Sequence, residues 1–464
     1  MNKVVGRSAI LLILVLALSV GSVLFLFEYL FYADDWVMKE GSPHVYTDYS
    51  SVCGTIVDRN GILLLDTNNG RTYGDDPKVN SSMIHWLGDK QGFIYAPTIS
   101  HYAEQMTSFD PINGLYVYGN DNGKVKLTFS AKVQAAALDA MAEYKGTVAV
   151  YNYKTGQILC AVTTPTYDPD NVPDINADTS GVWEGAYINR FTKATYTPGS
   201  IFKIVTTIAA LETIPDIMEQ TFQCNGETEY GIDKVTCMEK HGKINLQDAF
   251  LHSCNCAFAA VADQLGGQVL QQYAQNLGIS KKLTFDGITT ASGSLHADGA
   301  ADVLVAWSAI GQHKDQINPC QFMTLMGTIA GEGKAAAPYF VESITGGAWG
   351  EYFAHRQDAP WQLNAQTANM LKDLMRNNVE SYYGDENFPG LTVCAKSGTA
   401  ELGGDLTPNA MFAGFVADEK YPLAFIVVAE NAGFGRKNCV PILSKVLAAC
   451  KEVIDSEYML TPPA

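Results

Sequence analysis

Residues 8–27, SAILLILVLALSVGSVLFLF, carry no charge at all. About 20 helical residues are enough to cross the roughly 30 Å hydrocarbon layer of a bilayer. Lys3 and Arg7 precede the run, and Glu28, Asp34 and Asp35 follow it. The positive flank is expected to stay in the cytoplasm and everything after residue 30 to lie outside. A cleaved signal peptide would have a shorter apolar core and a small-residue cleavage site, which FEYLFYADDW lacks, so an uncleaved anchor over 8–30 is expected. No second apolar run reaches spanning length, which predicts a single pass with a cytoplasmic tail of residues 1–7.

Beyond the anchor the pattern changes twice. Residues 31–126 are rich in Gly, Asp, Asn and Tyr, with short apolar runs such as GTIV and GILLL, and read as a small strand-containing pedestal next to the membrane. From 127, KVQAAALDAMAEY has helical spacing, and GTVAVYNY and QILCAVTT flank KTG as a hairpin. The stretch from about 200 to 380 is mostly helical in pattern. Strand patterns return in LTVCAKSGTA, MFAGFVA and LAFIVVAE, the last two around a DEKYP turn. In VPILSKVLAACKEVI, Val440, Leu443, Val446, Leu447, Cys450 and Ile454 fall on one helical face. Strands at the two ends with helices between them do not make the βαβ alternation of a doubly wound fold. They predict an α+β domain over 127–456, its antiparallel sheet assembled from both ends of the segment, followed by a tail at 457–464.

Composition narrows the class. Of 464 residues, 47% are hydrophobic and only 17% charged, which suits a large core. A net charge of −18 argues against a nucleic-acid binder, which needs a basic face for phosphates. The ten cysteines are scattered. Cys160, Cys394 and Cys450 sit in buried-looking elements, and Cys224 with Cys237 is the candidate bridge if one forms. Zinc is disfavoured by spacing, because no CxxC pair occurs and CNC at 254–256 is too tight for two ligands.

The candidate chemistry begins at TYTPGSIFKIV, residues 195–205. Pro198-Gly199 breaks the preceding structure and an apolar helix pattern follows, so Ser200 falls at a helix N-terminus, where free N–H groups favour negative charge on its oxygen. Lys203 is one turn further, on the same face. A serine needs a base, and a lysine whose pKa is lowered by burial can be one. Alone, S-x-x-K describes an N-cap and a surface lysine equally well. Two further elements accompany it: Ser253-Cys254-Asn255 in LHSCNCAF, and Lys396-Ser397-Gly398-Thr399 in a strand pattern. S-x-x-K, S-x-N and K-S/T-G in this order are the set of the penicillin-recognising serine acyl enzymes.

The chain resembles class B penicillin-binding proteins, the monofunctional transpeptidases. The likeness extends to GTIVDRNGILLL (54–65), with Cys53 where the family has arginine, and to PTYDPD (165–170), NRFTKATYTPGSIFK, CMEKHGKINLQDAFLHSCNCAF, INPCQFM and AMFAGFVAD. It implies the penicillin-recognising transpeptidase fold, with a helical subdomain beside the sheet. It also implies that Ser200 attacks a D-Ala-D-Ala stem peptide and Lys203 takes its proton. Ser253 would relay a proton to the leaving D-alanine, Asn255 hold the substrate amide, and Lys396 sustain the positive field and orient Ser253. Ser397, Gly398 and Thr399 would bind the terminal carboxylate, and the backbone N–H groups of Ser200 and Thr399 would form the oxyanion hole. No metal or organic cofactor is implied. His241 and His313 lie near these segments and are expected to be structural or rim residues. β-Lactams, the bilayer and a polytopic glycan polymerase are the implied partners, in the bacterial cell membrane with the catalytic domain outside. A hydrolase, either a carboxypeptidase or a β-lactamase, a β-lactam sensor and an inactive scaffold use the same motifs. No E-x-x-L-N segment occurs between Asn255 and Lys396, which disfavours the β-lactamase. The stretch between anchor and hairpin is too short for a glycosyltransferase domain. Elongation, septation and sporulation enzymes all share this pattern.

Overall fold

In a computed structural model of the chain, residues 2–37, 54–68, 70–102, 106, 108–110, 114–116, 123–346, 351–404 and 406–460 are described. Cys53 and the tail beyond 460 lie outside them. Helix α1, Asn2–Val37, contains the apolar run. Its Val4–Phe31 portion has a mean hydropathy of 3.0 and leaves its apolar side chains exposed, so it is long and apolar enough to cross a membrane.

After α1 come strands β1 (Gly54–Val57) and β2 (Leu63–Asp66), paired antiparallel. The turn between them is pinned by Asp58, whose carboxylate accepts from Asn60 N and Ile62 N, both at 2.8 Å, and from Ala131 N at 3.0 Å. That last bond anchors α2, Ala131–Met141, to the first sheet. Strand β3, Gly123–Leu127, runs parallel to β1. The sheet is completed by Thr72–Tyr73 and by two strands from far down the chain, Val341–Thr345 and Tyr352–Phe353. It therefore draws on both sides of residue 126.

The second sheet is the one the hydrophobic pattern predicted. β4 (Gly146–Asn152) and β5 (Ile158–Thr164) form the hairpin around KTG. Three late strands join β4, and the order is Val393–Ala400, Asn409–Val416, Leu423–Ala429, β4, β5, antiparallel throughout. Nearly every residue of these strands is buried, because both faces are covered. On one face Val148, Val150, Phe412 and Val427 pack with α2 and with the final helix Gly435–Leu460, through Leu443, Val446, Leu447 and Cys450. On the other face Ala149, Tyr151, Ala413 and Ile426 meet the helices of the middle segment.

That middle segment is less uniformly helical than its pattern suggests. Helices at Lys203–Thr213 (α3), Asn255–Asn276 and Pro319–Ala330 are present. Between the first two lie two hairpins, Thr221–Cys224 with Gly242–Asn245 and, nested inside, Glu227–Tyr230 with Asp233–Thr236. The inner hairpin turns at Gly231, φ 67°. Its strands are largely exposed and only Val235 reaches the core, so it presents no apolar face for a pattern to detect. The candidate bridge is not formed: Cys224 and Cys237 are both free thiols, as are the other seven described cysteines.

Candidate active site

Ser200 lies in a 3₁₀ turn, Gly199–Phe202, that runs directly into α3. Two features fix the turn. Gly199 has φ 54°, a left-handed conformation that favours glycine. A Cβ on it would fall 2.4 Å from the Thr399 carbonyl oxygen, so only a glycine lets the Lys396–Thr399 strand back onto the serine. Gly199 N also donates to Gly311 O at 2.7 Å, tying the turn to the helical half.

Lys203 is fully buried, and its amine sits among four oxygens. The Nζ distances are 2.7 Å to Ser253 O, 2.7 Å to Asn255 Oδ1, 2.9 Å to Ser253 Oγ and 3.2 Å to Ser200 Oγ. The Phe258 ring lies 5.4 Å away. Burial lowers the Lys203 pKa to about 7, with the nearby sulfurs of Cys237, Cys254 and Cys256 opposing it. A neutral amine has two N–H donors and one lone pair. Ser253 O and Asn255 Oδ1 can only accept, so they consume both donors and leave the lone pair for a hydroxyl proton. The Asn255 orientation follows from its other end, since Nδ2 donates to Thr236 O at 2.8 Å.

Ser253 and Asn255 flank the start of the Asn255–Asn276 helix. Ser253 has φ 55°, unusual for a residue with a side chain, and its carbonyl is thereby one of the oxygens facing Lys203.

From the opposite side comes the strand Val393–Ala400. Lys396 is also buried, with Nζ 3.2 Å from Ser397 O and 5.8 Å from the Phe250 ring. Burial, then repulsion from Lys203, pushes its pKa well below the usual lysine value. Among the described residues Lys396 makes no hydrogen bond to Ser253. Gly398 packs against the serine turn, where a Cβ would lie 2.9 Å from Pro198 O. Thr399 O accepts from Gln312 Nε2 at 3.4 Å, and its Oγ1 accepts from Gly435 N, at the start of the last helix, at 3.5 Å.

The structure thus brings Ser200, Lys203, Ser253 and Asn255 into one hydrogen-bonded cluster and sets Lys396–Thr399 along its edge. One participant had no sequence signal. Tyr383 follows the helix Ala365–Asn378 in a π turn, is buried, and accepts from Ser397 N at 2.8 Å while donating to Ser397 Oγ at 2.9 Å. Burial pushes its hydroxyl up to about 12. Asn378 buttresses the same strand through Nδ2 to Ala395 O at 3.0 Å.

The comparisons with known proteins give the family. A model of the penicillin binding protein transpeptidase domain matches residues 146–448. The peptidoglycan D,D-transpeptidase PbpA of Mycolicibacterium smegmatis is 30% identical over 343 residues, covering 67% of this chain and 68% of the relative. The probable peptidoglycan D,D-transpeptidase FtsI of Caulobacter vibrioides is 28% identical over 297 residues, covering 61% of this chain and 47% of the relative. Among solved structures, the ceftriaxone acyl-enzyme complex of penicillin-binding protein A from M. tuberculosis superposes with a TM-score of 0.69 at 22% identity, over 87% of this chain and 99% of that one, a likeness of fold. With the family model spanning its sheet and all three motifs, the chain belongs to the transpeptidase-domain family of penicillin-binding proteins.

Proposed function

We propose that this chain is a membrane-anchored peptidoglycan D,D-transpeptidase that works through a Ser200 acyl-enzyme and is inhibited by β-lactams. One observation carries the reading: the buried Lys203 amine, its pKa lowered by burial to about 7, lies within 3.2 Å of Ser200 Oγ with its own donors engaged elsewhere. Ser200 Oγ attacks the carbonyl carbon of the D-Ala-D-Ala bond while its proton passes to the Lys203 lone pair. The negative charge that develops on the carbonyl oxygen is met by the N–H groups of Ser200 and Thr399, an arrangement that contributes strongly to acyl transfer. Ser253, hydrogen-bonded to the same amine, carries that proton to the departing D-alanine nitrogen as the C–N bond breaks. An amine of a second stem peptide then attacks the ester, and Ser200 recovers its proton.

Asn255 holds the substrate amide beside Lys203. Ser397, Gly398 and Thr399 receive the terminal carboxylate, Ser397 being oriented by Tyr383. Lys396 meets that carboxylate's charge, and a carboxylate arriving beside it favours its protonated form. The chemistry asks for no organic cofactor.

The test supplies the purified full chain with glycan strands bearing pentapeptide stems. Cross-linked product with stoichiometric D-alanine release, absent in Ser200→Ala, supports the reading. D-alanine release with hydrolysed stems only would reassign the protein to the carboxypeptidases.

Two finer points accompany the proposal. The N-terminus faces the cytoplasm and the rest of the chain lies outside as a single-pass protein. Labelling of intact cells by a membrane-impermeant β-lactam probe tests this, and labelling only after lysis would reverse the topology. The module over 31–126 docks a polytopic glycan polymerase. The complex between penicillin-binding protein 2 and MreC from Helicobacter pylori has a similar fold, at a TM-score of 0.67 and 18% identity over 82% of this chain and 79% of that one. Co-purification of the polymerase undiminished by removal of 31–126 would refute docking there.

A further inference from the structure

Beside the catalytic cluster, four side chains from separate elements converge. They are Cys224 at the end of the outer hairpin's first strand, Cys237 just after the inner hairpin, His241 in the following loop, and Cys254 between Ser253 and Asn255. Their ligand atoms all lie within 4.8 Å of one another. Cys224 Sγ is 3.5 Å and Cys237 Sγ 3.6 Å from His241 Nδ1, and Cys237 Sγ is 4.0 Å from Cys254 Sγ. A tetrahedral zinc with Zn–S bonds of about 2.3 Å and Zn–N bonds of about 2.0–2.1 Å has S···N edges of about 3.6 Å and S···S edges of about 3.8 Å. These three edges match that tetrahedron closely, and none is near the roughly 2.05 Å of a disulfide.

We infer that Cys224, Cys237, His241 and Cys254 bind one Zn²⁺ as a closed, four-ligand structural site that pins the Ser253–Asn255 motif. Three thiolates and one imidazole are a preferred zinc set, and four protein ligands leave no open position for catalysis. Cys224 and Cys254 are buried, Cys237 and His241 partly so. Asn255 N also donates to Cys237 Sγ at 3.4 Å, the outer-shell N–H···S contact that orients a ligating thiolate. Cys254 is the middle residue of Ser-x-Asn, so a metal bound there fixes the backbone on both sides, including the left-handed Ser253 and the Asn255 that bonds Lys203. It also gives the inner hairpin, which is largely exposed and has little core of its own, a coordinate tie to the active site. The spacing C-x12-C-x3-H-x12-C has no CxxC, which is why the sequence alone disfavoured zinc. The site stands independently of the acyl-transfer reading; only its effect on acylation rests on it.

The test is the metal content of the full chain, purified in detergent without chelator and kept reduced, beside Cys224→Ser and His241→Ala. About one zinc per chain is expected, falling at least tenfold in each variant. Exchange with Co²⁺ should give the intense visible bands of a tetrahedral thiolate site, a readout that does not depend on the variants folding. Stripping zinc should lower the melting temperature and slow penicillin acylation, with recovery on adding Zn²⁺. Wild-type protein that holds no zinc and shows no tetrahedral cobalt spectrum overturns the inference. So does zinc kept at full stoichiometry by both variants, or a Cys224–Cys237 disulfide in protein taken directly from cells.

Discussion

The pKa of Lys203 can be read out as a pH profile of acylation. The amine must be neutral to accept the Ser200 proton, so the rate follows its deprotonated fraction. With the pKa lowered by burial to about 7, that fraction is about 9% at pH 6, about half at pH 7 and about 91% at pH 8. The second-order rate of acylation by a penicillin should therefore rise about tenfold from pH 6 to pH 8 and then level off. An ordinary lysine near 10.5 would give a rise of about a hundredfold over the same interval and no plateau before about pH 10. The two cases are separated by both slope and plateau. The groups facing the amine are the Ser200 and Ser253 hydroxyls, Asn255, the sulfurs of Cys237, Cys254 and Cys256, and, across the site, Lys396. The assay is stopped-flow loss of a fluorescent penicillin's free signal from pH 5.5 to 9.5 at constant ionic strength, with far-UV circular dichroism confirming an unchanged fold at each point. A rate still climbing tenfold per pH unit above pH 8, or one flat between pH 6 and 8, would refute Lys203 as the base.

Other expectations follow from single contacts. Gly199→Ala forces a left-handed alanine and an overlap with Thr399 O, so it should destabilise the domain by about 1–3 kcal/mol and slow acylation at least tenfold; unchanged melting and kinetics would refute that account. Tyr383→Phe leaves Ser397 N and Oγ without their partner; a stability loss of about 1–2 kcal/mol and a raised KM for carboxylate-bearing substrates are expected, and an unaltered KM would remove Tyr383 from carboxylate binding. Asn255→Ala removes one of the two acceptors that occupy the Lys203 donors, so the plateau of the pH profile should fall in height, measured in the same stopped-flow assay.

Much of this was legible in the chain because its signals are local or two-sided. The anchor needed only an uncharged run of sufficient length. The central sheet was visible because LAFIVVA and GTVAVYN are buried on both faces and so read as continuous apolar runs. That early and late strands share one antiparallel sheet followed from strand patterns at both ends of one domain, whereas the pairing of β4 with Leu423–Ala429 came from the structure. The motif residues were legible through their spacing, and Pro198-Gly199 through its break in pattern. What stayed hidden depends on long-range assembly. Tyr383 sits fourteen residues before Ser397 in a polar stretch, with nothing local to mark its hydroxyl as a strand partner. The inner hairpin at 227–236 exposes most of both faces, so no periodicity records it, and the outer strands at 221–224 and 242–245 are only four residues each. The Cys–His cluster gathers residues separated by twelve, three and twelve positions, and only the hairpin fold brings them within reach.

The central claim is an acyl-enzyme on Ser200, and intact mass spectrometry of the full chain with a penicillin tests it most directly. The account predicts one adduct per chain, mapped to the peptide containing Ser200, persisting for hours and absent from a Ser200→Ala variant that melts like the wild type. An adduct that forms equally in the variant, or a penicillin that is turned over rapidly with no adduct accumulating, would contradict it.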